Sequence, residues 1–209
     1  MNPIEPKVEL PRSSERGFSI VELVVVIGMI LVLSAVAIIN ISDSLKAAAA
    51  DSAAQLIVQE MRLARQYAIS ERQIYRLTFT GPNSILLNRM QSDSITLNPS
   101  NNDSASYIPT TVAFQCDSNI PTSQTSAPTT PNAIGQGAIA IDIGQSDGNQ
   151  IFFQPDGSAR DALGRLANGV VYTSISGQSA SARAVTVFGS TGSIKSWKLF
   201  NMNGTWTWQ

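Results

Sequence analysis

The 209-residue chain reads as an α+β protein, one long N-terminal helix followed by an antiparallel β-sheet head. Three observations lead to that class. Residues 18–41 are apolar almost without a break, residues 42–72 keep apolar side chains on a 3.6-residue spacing, and from Ile74 the period falls to two. Helical patterning first and strand patterning afterwards predicts segregated α and β layers rather than alternating βαβ units.

The first element, Met1 to Gly17, is a short polar leader with three bases (Lys7, Arg12, Arg16) and three acids (Glu5, Glu9, Glu15). The second, residues 18–41, is of membrane grade. Between Leu23 and Ile39 only Gly28 and Ser34 interrupt the hydrophobic run. A helix from Phe18 to Ile39 has the length to cross a hydrocarbon core of about 30 Å at about 1.5 Å per residue. One carboxylate, Glu22, stands near its start. At a helix centre in lipid such a group costs roughly 2.5–3.5 kcal/mol on insertion scales, so its presence calls for a reason. Either the segment is a plain signal anchor with Glu22 near the interface, or Glu22 has a partner. Arg12 and Arg16 favour a cytoplasmic N-terminus, with everything beyond Asn40 across the membrane.

Residues 42–72 continue the helix as an amphipathic segment. From Ser42 to Ser70 there is no Pro or Gly. Ala53, Ile57, Met61, Ala64 and Ala68 share one face, with Leu56, Leu63 and Tyr67 beside them, and Gln55, Gln59, Arg62 and Gln66 lie on another. One continuous helix to about Glu71 is expected, its second half packed on a sheet.

Residues 73–209 form the β-rich head. Ile74 to Phe79 alternates, Gly81-Pro82-Asn83 turns the chain, and Ile85 to Leu87 returns, so a hairpin is expected. Composition then shifts. From Gln91 to Ala133, 28 of 43 residues are Ser, Thr, Asn, Gln or Pro, too little apolar surface for a core, so residues 91–133 read as a long surface loop with one strand near Val112 to Gln115. Removing about Asn98 to Thr130 is expected to cost little stability. Further strands are expected at Ala138–Ile143, Ile151–Gln154, Val170–Ser174, Arg183–Phe188, Ile194–Phe200 and Thr205–Trp208, separated by Gly- and Asn-rich turns.

Several chemistries are missing. There is no His and a single Cys, which removes His-based triads, His metal sites and Cys clusters. Cys116 can form no intrachain disulfide and is expected to be a small buried apolar side chain. Gly135-Gln136-Gly137 lacks the third glycine and the helix of a phosphate cradle. Asp142, Asp147, Asp156 and Asp161 show no EF-loop spacing and suit turns and strand ends. No catalytic residue, cofactor or metal site is expected, and the chain is read as not an enzyme. Without the leader, 11 Lys and Arg face 12 Asp and Glu, so nucleic acid is not an expected partner. The local exception would be Arg183, Lys195 and Lys198 gathered on one face with Trp206 or Trp208.

The order Glu15-Arg16-Gly17-Phe18-Ser19-Ile20-Val21-Glu22 before the apolar run resembles the class III signal of type IV prepilins and type II secretion pseudopilins. An ordinary secretory signal is cut after its apolar stretch, whereas this site lies before it. The resemblance implies cleavage between Gly17 and Phe18 by a prepilin peptidase and methylase, and N-methylation of Phe18. Glu22 becomes the fifth mature residue, paired in assembly with the Phe18 α-amine of a neighbouring subunit or with a donor on its own chain. At the other end, Phe153-Gln154-Pro155-Asp156-Gly157, then Arg183 to Val187 and Thr191-Gly192-Ser193-Ile194, resemble the H-type pseudopilin family (GspH/FimT-like). Many major pilins carry a proline near the outer end of the membrane helix, where this chain has Ile39, which favours a minor subunit. The family implies a pilin-like fold in a minor pseudopilin of the type II secretion pseudopilus, or alternatively in a minor type IV pilin of a pilus or DNA-uptake machine, the latter able to bind DNA. It further implies other minor and major pseudopilins or pilins as partners. The location it implies is the bacterial inner membrane, single-pass, with a periplasmic head placed at the filament tip on assembly.

Overall fold

A computed structural model describes residues 17–91, 103–116, 140–143 and 148–209, and, within the helix, every side chain except those of residues 36–40. The leader residues 1–16, most of the polar stretch 91–133, Gly135-Gln136-Gly137 and Asp147 lie outside the described residues.

One helix, α1, runs Ile20–Glu71. It starts where Ser19 caps it: the Leu23 N–H donates to the Ser19 carbonyl at 3.1 Å, and the Val21 N–H to the Ser19 hydroxyl at 3.4 Å. It stops at Arg72, whose φ of 56° is left-handed, the geometry of a residue just past a helix C-terminus. The chain divides into two compact units, residues 1–42 and 43–209. In the first, the described helical side chains from Ile20 to Ala35 are exposed on every side. Among the described residues no helix is long and apolar enough to cross a membrane.

The second unit is built on the helical stripe Ala50, Ala53, Ala54, Ile57, Val58, Met61, Ala64 and Ala68, all buried, while Gln55, Gln59, Arg62 and Gln66 face solvent. From Ala53 onward these alanines and larger side chains share one core with residues of both sheets. A five-stranded antiparallel sheet has the order β3 (Ser104–Tyr107), β2 (Ser84–Arg89), β1 (Tyr75–Thr80), β6 (Gln150–Phe153), β7 (Ala159–Arg160). A second sheet has the order β11 (Thr205–Trp208), β10 (Ser193–Met202), β9 (Gln178–Phe188), β8 (Gly169–Ile175), β4 (Ala113–Phe114), with β5 (Ile141–Ile143) also pairing β8. Alternation puts Tyr75, Leu77, Phe79, Ile85, Leu87, Ile151 and Phe153 of the first sheet, and Val171, Val185 and Val187 of the second, into one core with the stripe.

A smaller cluster lies on alternate residues of the second sheet: Val170, Tyr172, Ala182, Ala184, Leu199 and Trp208, with Cys116, Trp197 and Trp206 against it. Trp208 packs on Tyr172 with ring centroids 5.8 Å apart. Cys116 is therefore half-buried against this secondary cluster rather than placed in the main core.

Two departures from the sequence reading stand out. The polar stretch after Gln91 contains strand β3, and Ile108 and Val112 beyond it are buried in the main core. Hydrogen bonds hold them: the Ile108 N–H donates to the Asn83 carbonyl at 3.0 Å and the Phe114 N–H to the Pro82 carbonyl at 2.9 Å. Residues 103–116 are thus part of the fold and not a dispensable loop. The two-residue strand β7 was also unforeseen, being too short to show a period.

Candidate functional site

The processing motif lies just ahead of α1. Gly17 and Phe18 precede the Ser19 cap, so the peptide between them is outside the helix, and a Cβ placed on Gly17 would meet no atom within 4 Å. Phe18 is 82% exposed. Glu22 falls in the first helical turn, where the unpaired N–H groups and the helix dipole favour a negative charge. It is exposed, as are the apolar side chains that follow it.

At the other end of α1 the family-like C-terminal residues converge on one cation. Arg65 donates through Nε to the Gly157 carbonyl at 3.1 Å and through Nη2 to the Thr191 carbonyl at 3.1 Å. One guanidinium so joins the helix to the Pro155-Asp156-Gly157 turn and to the Thr191-Gly192 turn. Gly157 (φ +81°) and Gly192 (φ +61°) are both left-handed, and a Cβ on Gly192 would fall on the Gly157 carbonyl oxygen and 2.7 Å from Arg65 Nε. Within the first turn the Ser158 N–H donates to Asp156 Oδ1 at 2.8 Å, and hydrogen bonding from Ser158 holds the Asp156 carboxyl below its ordinary value. Asp161 organises the next loop, accepting from the Leu163 and Arg165 amides and from the Arg165 guanidinium. Burial pushes its pKa up, but the hydrogen bonds from Arg165 and Leu163 outweigh burial and leave it lowered. Asp156 and Asp161 thus have turn roles. Among the described residues no group of three His, Cys, Asp or Glu side chains could hold a metal ion.

The basic patch considered from the sequence is not assembled. Arg183 is 2% exposed and its Nε donates to Asp51 of α1 at 2.6 Å, while Nη1 donates to the carbonyls of Ala180 and Ala182. Lys198 Nζ lies 3.6 Å from the same carboxylate. In β10, Lys195 and Lys198 stand three residues apart, hence on opposite faces. Trp208 is buried in the secondary cluster, and Trp206 packs against it. The sequence reading missed Asp51 and Arg65 as organising residues. The only signal was a lone charge beside an apolar helical stripe, which names no partner 92 or more residues away.

Comparison with known proteins gives one family. The model of the type II transport protein GspH matches residues 53–193, more than half of the chain, from the buried helical stripe through both glycine turns. Two solved structures are similar. One is the minor pseudopilin EpsH from the type 2 secretion system of Vibrio cholerae, at 13% identity and a TM-score of 0.45, covering 71% of this chain and 96% of that one. The other is the type IV minor pilin FimU of Pseudomonas aeruginosa, at 10% identity and a TM-score of 0.43, covering 74% of this chain and 89% of that one. No curated protein matches the chain. The protein belongs to the GspH family.

Proposed function

We propose that this GspH-family chain is a minor pseudopilin, a structural subunit of a type II secretion pseudopilus that acts by polymerisation and not by catalysis. The observation that carries this reading is the division of labour along α1, in which the second half buries one stripe in its own head and the first half leaves apolar side chains open all round. Each such Val, Leu or Ile gains about 1.5–3 kcal/mol on full removal from water, enough in sum to hold a subunit in a membrane or in a bundle of like helices.

In this reading a prepilin peptidase cuts between Gly17 and Phe18 and methylates the new terminus. The apolar half keeps the subunit in the inner membrane with the head on the periplasmic side. Glu22 then meets the Phe18 α-amine of a neighbouring subunit or a donor on its own chain. A buried carboxylate without a partner is costly, so pairing fixes the axial register as subunits enter the filament among other minor and major pseudopilins, at its tip.

Deleting the gene and restoring it in trans tests the reading. Loss of an exported protein from the medium, restored by the wild-type chain and not by Gly17→Ala, is the expected result. Intact export with loss of surface pili would move the protein to the type IV pilus branch. Mass spectrometry of the membrane-extracted chain should show N-methyl-Phe18 as its first residue, and an intact Met1 terminus would reject the processing step. Glu22→Ala should leave the chain in the membrane and lower its recovery with the other subunits.

A further inference from the structure

We infer that the cleft where α1 meets β9 and β10 binds a carboxylate, held between Arg183 and Lys198. The site goes beyond the assembly reading above and does not depend on it. The cleft has a volume of about 260 Å³, and its charged lining among the described residues is Asp51, Arg183 and Lys198. Arg183 and Lys198 are register partners in β9 and β10, so their side chains rise from the same face of the sheet, the face that meets the helix.

Arg183 is buried and only partly satisfied. Its Nε donates to Asp51 Oδ1 and its Nη1 to two carbonyls, whereas Nη2 is buried with no hydrogen-bond partner. A buried donor on a charged group is costly to leave unmade, and an acceptor entering the cleft recovers that cost. The side-chain charges decide which acceptor. Two cations face one carboxylate, so one positive charge is left over. Burial raises the Asp51 pKa, but Arg183 and then Lys198 hold it below its ordinary value, so Asp51 is ionised and already counted. Water would satisfy Nη2 and leave the charge. A phosphate monoester, at about −1.5 to −2 charges near neutral pH, would overshoot and be repelled by Asp51. A monocarboxylate balances the site, with one oxygen on Arg183 Nη2 and the other on Lys198 Nζ. Ala54 and Trp197 also line the cleft and give its short alkyl stem an apolar wall. Lys198 Nζ stands 3.6 Å from Asp51 Oδ2, longer than a charge-assisted hydrogen bond, and its side chain is 39% exposed. On its flexible stem the ammonium can swing to an incoming anion and open the way to Nη2.

The test uses the full chain in neutral detergent micelles, titrated with sodium propionate at constant ionic strength. The readout is the Trp197 indole N–H resonance, identified by its loss in Trp197→Phe. A saturable shift with a dissociation constant of about 1 mM is expected, and none from propionamide, which has the same shape without the charge. Lys198→Gln should weaken binding about tenfold or more, whereas Asp51→Asn, which removes the competing carboxylate, should tighten it, both measured well below melting. If Asp51→Asn does not fold, Lys198→Gln decides alone, since its side chain is partly exposed. The α-amide of N-acetylglutamate separates the two sources of the group. Binding at least as tight as that of propionate assigns it to a polypeptide side chain, and much weaker binding assigns it to a free acid. The absence of a saturable shift, equal shifts from propionate, propionamide and chloride, or an unchanged affinity in Lys198→Gln would overturn the inference. None of these measurements involves the filament, so the assembly role is judged separately by the export experiment.

Discussion

Asp51 of α1 and Arg183 of β9, 132 residues apart in the chain, meet at 2.6 Å and tie the helix to the second sheet. The pair is asymmetric: the Arg183 side chain is buried and that of Asp51 is 43% exposed. Losing the acid leaves a buried guanidinium with two carbonyl acceptors and no counter-charge. Asp51→Ala is therefore expected to cost about 1–3 kcal/mol, below the 3–5 kcal/mol of a fully buried pair because solvent already screens the carboxylate. Arg183→Lys should not substitute well, since an ammonium cannot reach Asp51 and two carbonyls in the planar fork geometry. Urea unfolding midpoints of the two variants check both statements.

The same carboxylate sets part of the acid limit. Burial raises the Asp51 pKa, but the hydrogen bond and charge of Arg183, then Lys198, outweigh it, so the folded value lies below 3.8. Asp156 and Asp161 are lowered too. A depressed folded pKa means that the unfolded chain takes up protons first as pH falls. The stabilisation is then fully present above the ordinary carboxylate value and is lost as pH drops from there through the folded values. Stability should be flat from neutrality to about pH 5 and fall below about pH 4. Asp51→Asn should flatten that fall, and an unaltered acid limb in the variant would exclude Asp51 as a contributor.

Glycine substitutions should rank by space and not by φ alone. Gly164 and Gly177 have positive φ with no atom within 4 Å of an added Cβ, so Ala there should cost about 1 kcal/mol. At Gly157 an added Cβ would lie 3.2 Å from Arg65 Nη2 and from Ile69 Cδ1, both ends of side chains able to yield, and the cost should be slightly larger. At Gly192 the obstacle is the Gly157 carbonyl itself, so Gly192→Ala should cost about 3 kcal/mol or more and loosen Arg65 from both turns. Equal thermal melting of the Gly192→Ala and Gly164→Ala chains would refute the stacked-turn account.

Periodicity made the helix and most strands legible. The 3.6-residue stripe Ala53, Ile57, Met61, Ala64, Ala68 is buried as expected, and the alternation of Tyr75, Leu77 and Phe79 marks the inner face of β1. The turn signals were also informative: Asn203 (φ 53°) and Gly204 (φ 87°) form the two-residue connection between β10 and β11. What stayed hidden is what depends on distant partners. Nothing local to Arg183 distinguishes a buried ion pair from a nucleic-acid contact. Arg65 is an unremarkable helical base until two turns from the far end of the chain arrive beside it. Composition misled at β3, because Ser104-Ala105-Ser106-Tyr107 is a weakly buried edge strand that owes its place to β2 and to Glu60, whose carboxylate accepts from the Ser106 hydroxyl at 2.6 Å.

That misreading gives the last prediction. Residues 108–114 leave the edge strand, pass the turn end of the β1–β2 hairpin and start β4, and they carry Ile108 and Val112 into the core at about 1% exposure each. Ile108→Ala removes a buried branched side chain and opens a cavity that the surrounding strands, held by ladder hydrogen bonds, close only in part. The expected loss is about 2–4 kcal/mol. Val112→Ala should cost less, about 1–2.5 kcal/mol, in proportion to the smaller volume removed. Removal of residues 104–114 should abolish cooperative unfolding, because it also takes away one partner of β2 and one partner of β8. Differential scanning calorimetry of the three variants separates the outcomes. A single sharp transition in the deletion, with little change in midpoint, would restore the view of this stretch as a surface loop.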